Sequence, residues 1–185
     1  MIYEFNGRRP KIADSAYIAP SAVIIGDVTI GEHCFIGPCA VLRGDTNSIF
    51  IEEGTAIEDG VIVHVGGANV KCHIGRYVTV GHGAIIHCSQ LCEHANVGMG
   101  AVLSIRSEIG EYAVVAEGAV VKRGQVIPKR VVVGGAPAKV LRELEEKDLD
   151  LWRKSNETYL ALTKLYRTPG VLTEVERQEK RGDAE

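Results

Sequence analysis

The chain has few aromatics, few prolines and no long apolar run. Aromatic residues make up 5 % of it, with a single Trp, and prolines number 6. A core built around large rings is excluded, so the 45 % of hydrophobic residues must pack mainly as Ile, Val, Leu and Ala. No apolar stretch approaches the roughly 18 residues needed to span a bilayer, and no membrane partner is expected. Basic residues are not in surplus: the formal net charge is −3, which offers nothing to a nucleic acid. The opening MIYEFNGRRPKIADS has no signal-peptide core. The five cysteines (Cys34, Cys39, Cys72, Cys88, Cys92) are odd in number and lack the CxxC spacing of a zinc site. Reduced thiols in a cytoplasmic protein are the expectation. A length of 185 residues suits one domain with a small appendage.

What is present is a repeat. An aliphatic residue recurs every six positions at Ile12, Ile18, Ile24, Ile30, Ile36 and Leu42. After a nine-residue step it resumes at Ile51, Ile57 and Val63, and after an eleven-residue step at Ile74, Val80 and Ile86. A five-residue step leads to Leu91, Val97, Leu103, Ile109, Val115, Val121, Ile127 and Val133, twenty positions in all. Gly often follows the aliphatic residue, and Ala often takes the fifth place, as at Ala22, Ala40, Ala84 and Ala101. A period of six fits neither a helix nor a flat strand. It fits a short strand, a corner and another short strand, with the aliphatic side chain inward and small residues easing the turn. Three hexads make one triangular coil, coils stack at about 4.8 Å, and twenty hexads give about six to seven coils. The architecture is a mainly β, parallel β-helix, and the hexapeptide form resembles the left-handed one known from this repeat.

The pattern stops after Val133. GGAPAK reads as a turn, and AKVLRELEEKDLDLWRKSNETYLALTKLYR as one helix, or two broken near Glu146–Asp148, whose apolar stripe should lie along the prism. The predicted organisation is a β-helix domain over 1–137, a C-terminal helix over 138–167 and a charged, fraying tail over 168–185.

Counting hexads around the prism aligns polar residues. The place after the aliphatic residue on one face holds Arg43, then His64, then His87. On another face, Asp59, His82 and Met99 align. His64 and His87 thus stack on adjacent coils, a gap suited to a metal with imidazole bonds of ~2.0–2.1 Å. His82 belongs to a different face, and threefold symmetry would bring a neighbour's copy to the same ion. His33, His73 and His94 fall outside these columns and read as surface residues.

LRGD (42–45), TAIEDGVIVH (55–64) and VTVGHGAIIH (78–87), set in this frame, resemble the γ-class carbonic anhydrase family. The resemblance covers the first 140 residues and, in outline, the helical end. It implies a homotrimer with one metal at each interface. His64 and His87 would come from one chain and His82 from the next, with Zn²⁺ the usual ion and Fe²⁺ or Co²⁺ alternatives. It implies an Arg43–Asp45 ion pair beside the site, Asp59 or Glu58 orienting the reacting group and moving a proton, and Tyr159 of the helix near the metal of an adjacent subunit. The implied reaction is reversible hydration of CO₂ to bicarbonate by a metal-bound hydroxide. Two features depart from the family: Glu58–Asp59 replaces a common Gln–Asp, and the loop VGGANVKC (65–72) carries no acid for proton export. Three other readings stay open. One is a CoA-thioester hydrolase using the same metal with acyl-CoA as substrate. Another is an acyltransferase, because VVVGGAPAKVLREL resembles the end of hexapeptide acetyltransferases. The last is a metal-binding scaffold without catalysis.

Overall fold

The structure is a computed structural model that describes residues 1–67, 70–87 and 90–175. Its body is a left-handed parallel β-solenoid of about seven turns, followed by one C-terminal helix. Most strands are only two or three residues long and pair in parallel with the same segment of the turns above and below.

The six-residue period arranges the core. The twenty aliphatic positions fall into three vertical columns. Ile24, Leu42, Val63, Ile86, Leu103 and Val121 are in register on one face. Ile12, Ile30, Ile51, Ile74, Leu91, Ile109 and Ile127 align on the second. Ile18, Ile36, Ile57, Val80, Val97, Val115 and Val133 align on the third. All are buried except Ile12 and Ile18, which are partly so at the open first turn. Each such side chain contributes about 1.5–3 kcal/mol relative to exposure. The stacked layout lets every turn cover its neighbours' apolar surface, a ring of branched aliphatics per layer. The alanines of the fifth place are buried at the corners: Ala22, Ala40, Ala84 and Ala101 are each fully enclosed.

The nine-residue step is a built corner. Strands Val23–Ile30 and Val41–Ile51 run continuously around it, with a register shift between Gly26 and Val28. Gly26 has φ +76°, and a Cβ on it would meet the Gly44 carbonyl oxygen at 2.5 Å. Only glycine permits this approach, and the extra residues it accommodates begin with Asp45. Arg8 clamps them from the N-terminal segment by donating to the carbonyls of Asp45 and Thr46. The eleven-residue step is a loop that begins and ends on the buried Val65 and Val70, and its residues 68–69 lie outside the described residues.

The C-terminal region differs from the helix expected over 138–167. Lys139–Glu143 is a strand that folds back antiparallel onto Val131–Gly134, and the helix runs Glu146–Tyr166. AKVLREL is made of good helix formers, but the last turn of a solenoid presents unpaired backbone groups. Pairing with that edge outweighs a preference of a few tenths of a kcal/mol per residue. Val140 and Leu141, apolar residues of this stretch, are accordingly exposed rather than packed on the prism. The helix begins with a capping box between Glu145 and Asp148 and lies across strands Tyr17–Ile18 and Phe35–Ile36. Tyr159 and Tyr166 pack there against Tyr17 and Phe35. Asn156, buried, donates to the Tyr77 carbonyl and to Thr79 Oγ1, both at 3.0 Å. The expected tail has its residues 176–185 outside the described residues. Among the described residues, no helix is long and apolar enough to cross a membrane, and Cys34, Cys39 and Cys92 are free thiols. Cys88 lies outside the described residues.

Candidate metal centre

Strand register brings Arg43 opposite His64, and His64 opposite His87. Neighbouring parallel strands keep their side chains parallel, so the two imidazoles stack with centroids 5.3 Å apart and planes 11° from parallel. Asp45 closes the group from the built corner: its carboxylate meets Arg43 Nη1 at 2.5 Å and His64 Nε2 at 3.2 Å. Burial works to raise the Asp45 pKa, but the Arg43 guanidinium and His64 outweigh it and hold the carboxyl below its ordinary value. His64 is held below its ordinary value chiefly by burial, with Arg43 adding to the effect and Asp45 opposing it. A neutral imidazole is the form that ligates metals.

Gly66 completes this side. A methyl group there would lie 3.3 Å from both His64 Cε1 and His87 Nε2. The glycine keeps the space beside the two rings clear.

The second column sits at another corner, where the backbone stacks Asp59, His82 and Met99 through Gly83, Gly100 and Gly118. His82 is exposed. Its Nε2 lies 3.0 Å from Glu58 and its Nδ1 3.5 Å from Asp59. Glu58 is buried and also accepts from the His82 backbone N–H at 3.1 Å. The Tyr159 hydroxyl bonds to Glu58 as well; burial, then Glu58 and Asp59, push that phenol well above its ordinary value. Tyr159 therefore joins the His82 group of its own chain through Glu58.

The eight residues singled out in the sequence form two clusters. Arg43, Asp45, His64 and His87 make one, and Glu58, Asp59, His82 and Tyr159 the other. Among the described residues, no three His, Cys, Asp or Glu side chains converge to hold a metal within one chain. The three remaining histidines divide. His33 is exposed, and His73 is half-exposed beside Glu52 at 3.0 Å. His94, expected at the surface, is instead half-buried between Tyr77 and Tyr112. The spacing of Tyr77, His94 and Tyr112 could have revealed this, since all three occupy the same left-handed corner position of successive turns. Arg8 and Gly66 escaped the sequence reading because neither lies at a repeating position.

The bacterial transferase hexapeptide family (six repeats) matches residues 9–44. The carnitine operon protein CaiE of a Proteus species is 36 % identical over all of this chain and 96 % of its own length. A carbonic anhydrase of Geobacillus kaustophilus is 42 % identical over 90 % of this chain and 91 % of its own. The crystal structure of a hexapeptide transferase family protein from Anaplasma phagocytophilum superposes with a TM-score of 0.86 at 37 % identity, covering 90 % of this chain and 98 % of that one. With its hexapeptide solenoid and these relatives, the chain belongs to the γ-class carbonic anhydrase-like family.

Proposed function

We propose that this protein is a metal-dependent enzyme that hydrates CO₂ reversibly to bicarbonate at an interface between identical subunits. The observation that carries the reading is the stacked His64–His87 pair with the space beside it kept clear by Gly66. Two imidazoles on adjacent strands, with room for an ion at their edge, are a donor set suited to Zn²⁺ and acceptable to Fe²⁺ or Co²⁺. A neighbour's His82, exposed on a different face, would supply the third ligand in a closed trimer. When bound by His64, His87 and a neighbour's His82, such an ion would supply a nucleophilic oxygen near neutral pH by lowering the pKa of water to about 7.

The chain's own groups divide the remaining work. Asp45, fixed by Arg43, accepts from His64 and so sets the orientation of that ring. Glu58 holds the His82 ring from below and is itself held by Tyr159. Asp59, exposed and beside His82, is placed to take a proton and pass it to solvent. The apolar Ile62 and Ile85 flank the histidine column and are exposed in the single chain, which suits a surface that a second copy covers.

Metal content and CO₂ hydration measured together on anaerobically purified protein test the reading. Near-stoichiometric metal and hydration that disappear together in His64→Ala are expected. Metal without hydration, together with hydrolysis of acyl-CoA compounds, would move the assignment to a thioesterase. Metal without either activity would leave a scaffold.

A further inference from the structure

Asp45 reaches His64 from backbone that belongs to no ladder. On one side Gly26 pairs with Gly44 and Val28 with Ile49; on the other Arg43 pairs with His64 and Ile49 with Cys72. Residues 45–48 lie between these registers and leave the sheet on both sides. The direction of a carboxylate on such a segment depends on what ties the segment down.

Three side chains tie it. At its far end, Ser48 Oγ donates to Asp27 Oδ2 at 2.6 Å. In the middle, Asn47 Nδ2 donates to the Gly67 carbonyl. At the end that carries Asp45, Arg8 Nη2 donates to the Asp45 carbonyl and Nη1 to that of Thr46 at 3.1 Å. A guanidinium presents such donors in a fixed planar fork.

Arg8 is itself placed by local chemistry. Phe5 and Arg8 exchange two backbone hydrogen bonds at 3.0 Å across Asn6 and Gly7, whose φ angles of 48° and 74° are those of a two-residue hairpin turn. Strand Ile2–Tyr3 before the turn and Lys11–Ile12 after it both pair with Val23–Ile30, so the arginine stands on a fixed base. Arg43 and His64 set the charge balance of the Asp45 carboxylate; Arg8 grips the backbone that carries it.

We infer that Arg8 is a positioning residue of the proposed metal centre: by gripping the Asp45 and Thr46 carbonyls it fixes the Asp45 carboxylate against His64, and it acts through that carboxylate. Its effect on metal rests on the metal-dependent reading of the site; the contact it sets up does not.

Two measurements test the role. In metal-free protein labelled with ¹⁵N-histidine, the His64 Nε2–H held by Asp45 should give a slowly exchanging signal, identified by its loss in His64→Ala. Arg8→Ala should remove that signal, as Asp45→Ala does. Arg9→Ala, which deletes the same charge from the exposed neighbour, should keep it. In Zn²⁺ titrations of the chelator-treated proteins, Arg8→Ala and Asp45→Ala should each weaken binding about tenfold or more, the scale of groups standing behind a metal's ligands. The double variant should match Asp45→Ala within about twofold, because members of one network do not add. If Arg8→Ala does not fold, Arg8→Lys takes its place: it keeps the stem and the charge but not the fork, and should weaken both the signal and the affinity. Absence of the His64 signal in the parent, its persistence in the Arg8 variant, or losses that multiply in the double variant would each overturn the inference. A parent that binds no Zn²⁺ would instead refute the proposed function, and the His64 signal would still decide the role of Arg8.

Discussion

Gly66 stands beside both imidazoles of the stacked pair, where a Cβ would meet them, and that position would separate the proposed metal binding from folding. Gly66→Ala would place a methyl group 3.3 Å from His64 and His87, closer than ordinary van der Waals contact, so a ring must shift. The residue lies in the loop of the eleven-residue step, outside the inward columns, so none of the core aliphatics has to move. A fall in metal affinity of about tenfold or more is expected, the scale on which groups around a metal act, with a melting temperature for the metal-free protein near that of the parent. Metal titration of the chelator-treated variant, paired with its thermal unfolding, checks both halves. The same neighbourhood shows what the chain reveals in advance. Arg43, His64 and His87 can be aligned by counting, because a period of six fixes which way each side chain points. Asp45 cannot, because it sits among the extra residues where the period breaks; only the family resemblance of LRGD brings it forward. Arg8, which clamps that break, carries no periodic signal at all.

The corner that carries Tyr77, His94 and Tyr112 is an element in its own right, a ladder of rings. Centroids are 5.3 Å and 4.6 Å apart, and planes lie within 12° of parallel. Burial keeps the middle rung, His94, below the ordinary histidine pKa; Glu93 and Glu111 pull it up, while Arg76 and Arg153 push it down. The unfolded chain titrates near 6.5 and, as pH falls, takes up this proton before the folded state does. The contribution to stability is therefore complete above about pH 6.5 and is lost as pH falls from there through the lower folded value. His94→Phe keeps a ring between two tyrosines that already tolerate the left-handed backbone, and it removes the titration. Its melting temperature should fall less than the parent's between pH 7.5 and 5; equal slopes would show that the acid sensitivity lies elsewhere. Local pattern reads less well here. Tyr77, His94 and Tyr112 lie at outward corner places that an inward aliphatic repeat ignores. Likewise, Lys139–Glu143 looks helical in isolation and becomes a strand only because the last turn offers an edge to pair with. The solenoid itself is legible because each turn repeats one rule, whereas its closure depends on a contact between segments that share no rule.

At the level of the assembly, the two polar clusters of one chain stand on different faces, so the proposed metal site exists only if chains close on one another. This arrangement can be tested without seeing the complex. His64→Ala protein keeps His82, and His82→Ala protein keeps His64 and His87. Each alone should be metal-poor, because in a closed ring of identical variants every interface lacks a ligand. Unfolded together and refolded as a mixture, they should form hybrid trimers if the chains close as proposed. Going around any hybrid ring, there is one junction at which an intact His64–His87 chain meets a neighbour with an intact His82. About one third of the parent metal content per hybrid is therefore expected from threefold closure. Because metal binds the assembled state, the recovered sites should also raise the melting temperature of the hybrids when metal is present. Native mass spectrometry of variants carrying different mass tags identifies the hybrids and counts their metal. If all three histidines served one ion within a single chain, no mixture could restore a site, since each variant would lack a ligand in every copy. Hybrids verified by mass that stay metal-free would thus reject the shared site, and about one ion per hybrid ring would require it.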